Sequence, residues 1–270
     1  MNIFQLLKSY SVKPESLSQF VSRRDAFIQM SNFGKKAAMA AIPFGFAAFS
    51  TNKVMAQAAN SADPVDVLNF ALTLEYLEAA CYKEGCRCKI IPEGRERSIF
   101  EIIEKHEFDH VELLKAVILS LNGMPVEKPK FDFTAGGAFA PFQDYQQFLA
   151  LSQAFEDTGV RAYKGQAANL LGNGDLLTAA LQIHSVEARH ASEVRRLRGL
   201  KGWITGDERG AGMPMETQAV YNGEGNLMQG GVDVREVVSL DSIGSDGISE
   251  AFDEPLTKEE VLTIAGLFIA

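Results

Sequence analysis

One constellation of residues occurs twice along this chain, in the same order and at nearly the same spacing. Glu75 with Tyr82, then Glu107-Phe108-Asp109-His110, are followed by Glu156 with Tyr163, then Glu187-Ala188-Arg189-His190. The two Glu–Tyr pairs lie 81 residues apart and the two Glu-x-x-His pairs 80. Two equivalent helix pairs displaced by one slipped residue produce such a repeat. On a helix, residues three apart share a face, so each Glu-x-x-His offers an oxygen and a nitrogen to one point in space. One Glu from each of two helices, plus a Glu-x-x-His from each of two others, is a donor set with which a four-helix bundle holds two metal ions in its core. Four carboxylates balance two divalent cations, and a carboxylate–imidazole set suits iron or manganese better than a thiolate-loving metal. The expected ligands are Glu75, Glu107, His110, Glu156, Glu187 and His190, around two Fe or two Mn ions.

The apolar periodicity places these residues on helices. Asp63 as N-cap with Pro64 behind it starts a helix over 64–84, ended by Gly85. Leu68, Leu72, Ala79 and Tyr82 share the face of Glu75. A second helix over 96–121 ends at Asn122-Gly123 and sets Phe100, Ile103, Val111 and Leu114 around Glu107. Residues 124–141 hold Pro125, Pro129, Pro141 and Gly136-Gly137, which argues for an irregular crossover. A third helix over 142–171 carries Glu156 among Leu149, Val160 and Tyr163. After the turn Gly172-Asn173-Gly174, a fourth over 175–200 carries Glu187 and His190 among Ala180, Ile183, Ala191 and Val194. Its last turns bear Arg195, Arg196, Arg198 and Lys201, suited to the negative end of the helix dipole. The expected fold is all-α: a four-helix bundle over 59–201 with one long crossover between helices 2 and 3. Residues 202–270 form a Gly-rich extension that wraps the bundle. It closes with a short helix capped by Thr257-Lys258-Glu259-Glu260.

A carboxylate inside an apolar stripe is costly unless paired or bound to a cation. Buried salt bridges are the alternative to metal here, but the basic residues fall mostly at helix ends or outer faces. Tyr82 and Tyr163 are candidates to donate hydrogen bonds to ligands; packing alone would explain them equally. Glu104 and His184, each three residues before a ligand Glu, are further candidates beside the site. His106-Glu107-Phe108-Asp109-His110 also fits His-Glu-x-x-His, in which two histidines bind zinc and the Glu activates water. The second copy has Val186 where His106 stands, and a zinc peptidase gives no reason for the repeat. Cys81, Cys86 and Cys88 are read as structural or incidental, with room for one bridged pair in an oxidising compartment.

The net charge is −9, and without residues 1–58 it becomes −14. Such a surface is a poor match for nucleic acid. Ser22-Arg23-Arg24-Asp25-Ala26-Phe27-Ile28, the apolar run over 37–50 and Ala56-Gln57-Ala58 resemble a twin-arginine export signal over 1–58 with its cleavage site. The arginines follow an unusually long leader, and Phe27 sits one place late. The expected location is the periplasm. The apolar run, which contains Pro43, is too short to span a membrane.

From Asp63 onward the chain resembles the ferritin-like domain family that includes desiccation-related proteins. The carrying segments run from Leu68 to Ala79 (Leu-Asn-Phe-Ala-Leu-Thr-Leu-Glu-Tyr-Leu-Glu-Ala), from Glu156 to Tyr163, from Glu187 to His190, and over Ala251-Phe252-Asp253-Glu254-Pro255-Leu256. The resemblance implies a ferritin-like bundle and leaves its activity undefined. Two functions follow as expectations: redox chemistry on a small oxidant, peroxide or oxygen with Fe(II), in stress protection; or a non-catalytic stress-related protein with a structural metal site. Oligomeric state stays open.

Overall fold

Asp63 begins the first helix by accepting a hydrogen bond from the Val65 amide at 2.9 Å, and Pro64 stands at the first position, where no amide is needed. The computed structural model describes residues 62–237 and 244–270; the export leader expected over 1–58 lies outside them. Helix α1 spans Pro64–Arg87. It therefore runs through Gly85, which the sequence reading had taken as its end. A Cβ on Gly85 would lie 2.4 Å from a Phe148 ring carbon, so the glycine serves close helix packing and the helix turns off after Cys88, where Lys89 takes φ 57°.

Helix α2 spans Arg95–Ser120. Its end is a Schellman turn: Asn122 at φ 60° donates to Leu119 O at 3.0 Å and Gly123 to Ile118 O at 2.9 Å. Helix α3, Tyr145–Gln166, is capped by Asp144 and tightens into a 3-10 turn over Ala167–Leu170. Asn173 caps α4, Gly174–Leu197. This helix ends three residues short of the expected position because Gly199 at φ 73° closes another Schellman turn, with Leu200 N bonded to Arg195 O at 3.0 Å.

Helix α1 packs chiefly on α2, and α3 on α4. Short links make each pair antiparallel, and the irregular stretch 121–144 joins the pairs, as a bundle with one crossover requires. Two apolar clusters fill the bundle on either side of its polar middle. One contains Phe70, Phe100, Phe148 and Phe155; the other contains Leu68, Leu72, Leu114, Ile118 and Ile183. Each fully buried Leu, Ile or Phe contributes roughly 1.5–3 kcal/mol.

Residues beyond 200 lie along α3, held by polar contacts. The Arg161 guanidinium, 1% exposed, reaches Glu254 O at 2.8 Å, Asn222 O at 3.0 Å, Val220 O, and the Glu224 carboxylate at 2.6 Å. Asp157 takes both arms of Arg195, at 3.0 and 2.6 Å, and the Tyr221 hydroxyl at 2.9 Å. Arg195 is thus a buried partner of α3, where the sequence reading made it an outward charge at a helix end. A Cβ on Gly165 would meet Leu256 O at 1.9 Å, so that strand of chain lies directly on the helix backbone. The Gly-rich extension holds a 3-10 turn over Met215–Val220, a hairpin of β1 (Met228–Gln229) and β2 (Val232–Asp233), a 3-10 turn over Val234–Glu236, and α5, Gly244–Ser249. The last helix, α6, spans Lys258–Gly266 with the Thr257–Glu260 capping box in place. Phe131 of the crossover bridges to Ile269. Among the described residues no helix is long and apolar enough to cross a membrane.

Candidate metal centre

The four helices bring all six expected ligands to one point. Glu75, Glu107, Glu156 and Glu187 are fully buried, and His110 and His190 are 9% and 5% exposed. His110 Nδ1 lies 3.2 Å from Glu75 Oε2, 3.2 Å from Glu107 Oε2 and 3.3 Å from Glu187 Oε1. His190 Nδ1 lies 2.8 Å from Glu107 Oε1 and 3.3 Å from Glu156 Oε2. Two compact donor groups result: Glu75, Glu107, His110 and Glu187 in one, Glu107, Glu156, Glu187 and His190 in the other. Glu107 and Glu187 belong to both.

The tyrosines cross between the halves. Tyr82 of α1 donates to Glu156 of α3, and Tyr163 of α3 donates to Glu75 of α1. Each thereby fixes one oxygen of a carboxylate and leaves the other for the centre. His106 Nδ1 stands 3.0 Å from His190 Nε2 with the rings stacked, so it orients His190 from behind. It enters neither donor group, which the peptidase motif would require. The other two candidates enter neither donor group. Glu104 faces Cys86, which burial, and then the Glu104 hydrogen bond, push up to about 12. His184 is half-buried on the α3 side, where burial lowers its pKa. All three cysteines are unpaired.

Glu78 is the residue that sequence reasoning passed over. It is 3% exposed, one turn beyond Glu75. Its counterpart 81 residues on is Gly159, where a Cβ would come within 2.8 Å of Glu187 Oε2 and 3.2 Å of Glu78 Oε1. The glycine is thus the space into which a fifth carboxylate and Glu187, common to both donor groups, reach. A Glu opposite a Gly at matching repeat positions was the available signal.

The electrostatics follow from this crowding. Burial raises Glu75 to about 7 despite the His110 hydrogen bond. Burial, with the neighbouring carboxylates adding, lifts Glu78 and Glu187 well above the carboxylate range, and burial lifts Glu156. Glu107 goes the other way: burial opposes its charge, but His110 and His190 more than offset this and hold it at about 2. The same carboxylates overcome burial to raise His190 to about 11 and His110 above its ordinary value. Protons thus balance five buried carboxylates. Even so, Glu107 Oε1, Glu156 Oε2, both Glu187 oxygens and His190 Nδ1 have no well-directed hydrogen bond: four of the five meet only a poorly aligned ion-pair contact at 2.8–3.3 Å, and Glu187 Oε2 meets none. Buried polar atoms seldom lack one, since each costs about 1–3 kcal/mol. The buried cations nearby are committed elsewhere, Arg161 to Glu224 and Arg195 to Asp157. The unsatisfied atoms face one another and offer oxygen and imidazole donors, so the group can bind metal ions.

A four-helix bundle with carboxylates and histidines converging in its core defines a class of helical protein whose middle could hold metal ions. A model of the ferritin-like domain matches residues 63–200, half of the chain, and the chain belongs to that family. No curated protein matches it.

Proposed function

We propose that this protein holds two iron or manganese ions and uses them for redox chemistry on a small oxidant, dioxygen or peroxide. Glu75 and His110 would serve one ion and Glu156 and His190 the other, with Glu107 and Glu187 within reach of either. The observation that carries this reading is the pair of donor groups sharing two carboxylates, with their unsatisfied atoms turned toward one another. When bound, two such metals supply paired one-electron steps and polarise an oxidant's oxygen atoms. The chain's own residues do the rest. Tyr82 and Tyr163 hold the terminal carboxylates in place, His106 fixes the ring of His190, and the apolar clusters keep bulk water out. Glu78, which has no basic partner among the described residues, holds a proton that it can give up as charge at the centre changes.

The complete burial of the four glutamates also suits a second reading, a structural site without turnover in a stress-related protein. Elemental mass spectrometry of protein purified without chelators, followed by peroxide and Fe(II)/oxygen assays, separates the readings. About two iron or manganese per chain with turnover that Glu156→Ala abolishes supports the redox reading. Metal without turnover, and a lowered Tm for Glu156→Ala, supports the structural one. A single zinc lost on His106→Ala overturns both. We further propose a periplasmic location by the twin-arginine route, resting on Arg23-Arg24 and Ala56-Gln57-Ala58; a reporter fusion that is still exported after Arg23→Lys/Arg24→Lys argues against that route.

A further inference from the structure

An apolar cleft lies against Tyr163 on one side of the centre, and nothing in the donor set accounts for it. It lies between α2 and α4 and continues to α1 and α3, and of the sixteen side chains lining it only Tyr163 and Gln166 are polar. Its mouth is at Leu113, 43% exposed; its floor is formed by Leu68, Ala71, Ala180 and the ring of Tyr163, all buried. The Tyr163 hydroxyl already donates to Glu75, so one side chain, Tyr163, links the cleft to an expected ligand. About 30 Å³ is open to the centre of a water-sized sphere. That exceeds the 10–15 Å³ that one water requires, but a wall of this chemistry offers water too few partners, and such cavities stay dry and take up small apolar guests. The volume admits a small apolar guest, a diatomic gas among them.

We infer that this cleft is a binding site for a small apolar gas, dioxygen, delivering it to the centre past Tyr163; the delivery step rests on the redox reading above. The cleft separates the two oxidants that reading leaves together. Dioxygen partitions into apolar space, whereas hydrogen peroxide would surrender its hydrogen bonds to water on entering.

Xenon is the probe, because it binds dry apolar cavities and needs no metal. Metal-free protein, followed by xenon-129 NMR, is expected to bind xenon saturably at one site. Ala180→Leu, which fills the floor, is expected to abolish that binding, and Leu113→Trp, at the half-exposed mouth and safe for folding, to slow entry. In metal-loaded protein both variants are expected to raise the KM for oxygen at least fivefold relative to the KM for peroxide. Absence of saturable xenon binding in the unaltered protein overturns the site, and equal changes for the two oxidants overturn the route. Xenon binding in a protein that turns over neither oxidant overturns the redox reading and leaves the gas site standing.

Discussion

Replacing Gly159 by alanine is expected to separate metal binding from stability. A methyl group there would lie 2.8 Å from Glu187 Oε2, about 0.6 Å inside ordinary van der Waals contact, and 3.2 Å from Glu78 Oε1. Both neighbours are ends of long side chains, so they can move and the helix need not. Alanine in a helix interior is favoured over glycine by roughly 1 kcal/mol, so metal-free Gly159→Ala should melt at or above the temperature of the unaltered protein. Metal–ligand distances tolerate only about 0.2 Å. A carboxylate shared by both ions and displaced by about 0.6 Å can therefore no longer serve both, and disturbances of this kind lower affinity about 10- to 100-fold, or about 1.4 to 2.7 kcal/mol. Calorimetric titration with Mn(II) measures the affinity, and scanning calorimetry without metal measures the stability. If the variant binds two ions as tightly as its parent, Glu187 is not a shared ligand and the reasoning fails.

Three further outcomes are expected. The native-state pKa of Glu75, raised by burial to about 7 from its ordinary 4.5, means that the folded metal-free protein keeps a proton the unfolded chain has lost. That contribution is present below about 4.5 and disappears as pH rises to about 7, costing about 3 kcal/mol. The raised His190 adds a loss from about 6.5 toward 11 with the same sign, so denaturant midpoints of metal-free protein should fall from pH 5 to 8, and saturating metal should flatten the slope. Asp157→Ala strips Arg195 of its buried counter-charge and should cost about 3–5 kcal/mol, seen as a lower urea midpoint with metal stoichiometry unchanged in the fraction that remains folded. Tyr163→Phe removes the hydrogen bond to Glu75 and should weaken metal binding about tenfold or more, while Tyr145→Phe, on a ring outside the centre, should leave it unchanged; equal affinity in both variants would refute the positioning role.

The helices and the six converging residues were legible because both rest on local periodicity. An acidic residue in the middle of an apolar stripe can be read without knowing what it faces. Positions decided across the bundle were not legible. Gly85 reads as a helix terminator until Phe148 is seen lying on it, and Arg195 reads as a dipole charge until Asp157 faces it. Glu78 was hidden because its environment is made by a missing side chain on another helix. The repeat gave the tyrosines their equivalence, but their exchange between halves appears only when α1 and α3 are set side by side. His184 and Glu104 stand outside both donor groups: three residues along a helix shares a face only within a limited arc, and neighbouring helices take the remainder.

The crossed tyrosines also bear on how the molecule is assembled. Each helix pair carries a phenol whose acceptor is in the other pair, and each donor group draws on both. Such reciprocity, position for position, is the mark of an isologous contact between identical subunits. Mechanically, then, the chain is a dimer of hairpins tied together by residues 121–144. The tie replaces subunit concentration with a fixed effective concentration. Neither hairpin satisfies its own buried carboxylate alone, so the two are expected to lose their structure in a single transition; a chain cut within 121–144 should depend on protein concentration for its stability, as a true dimer does.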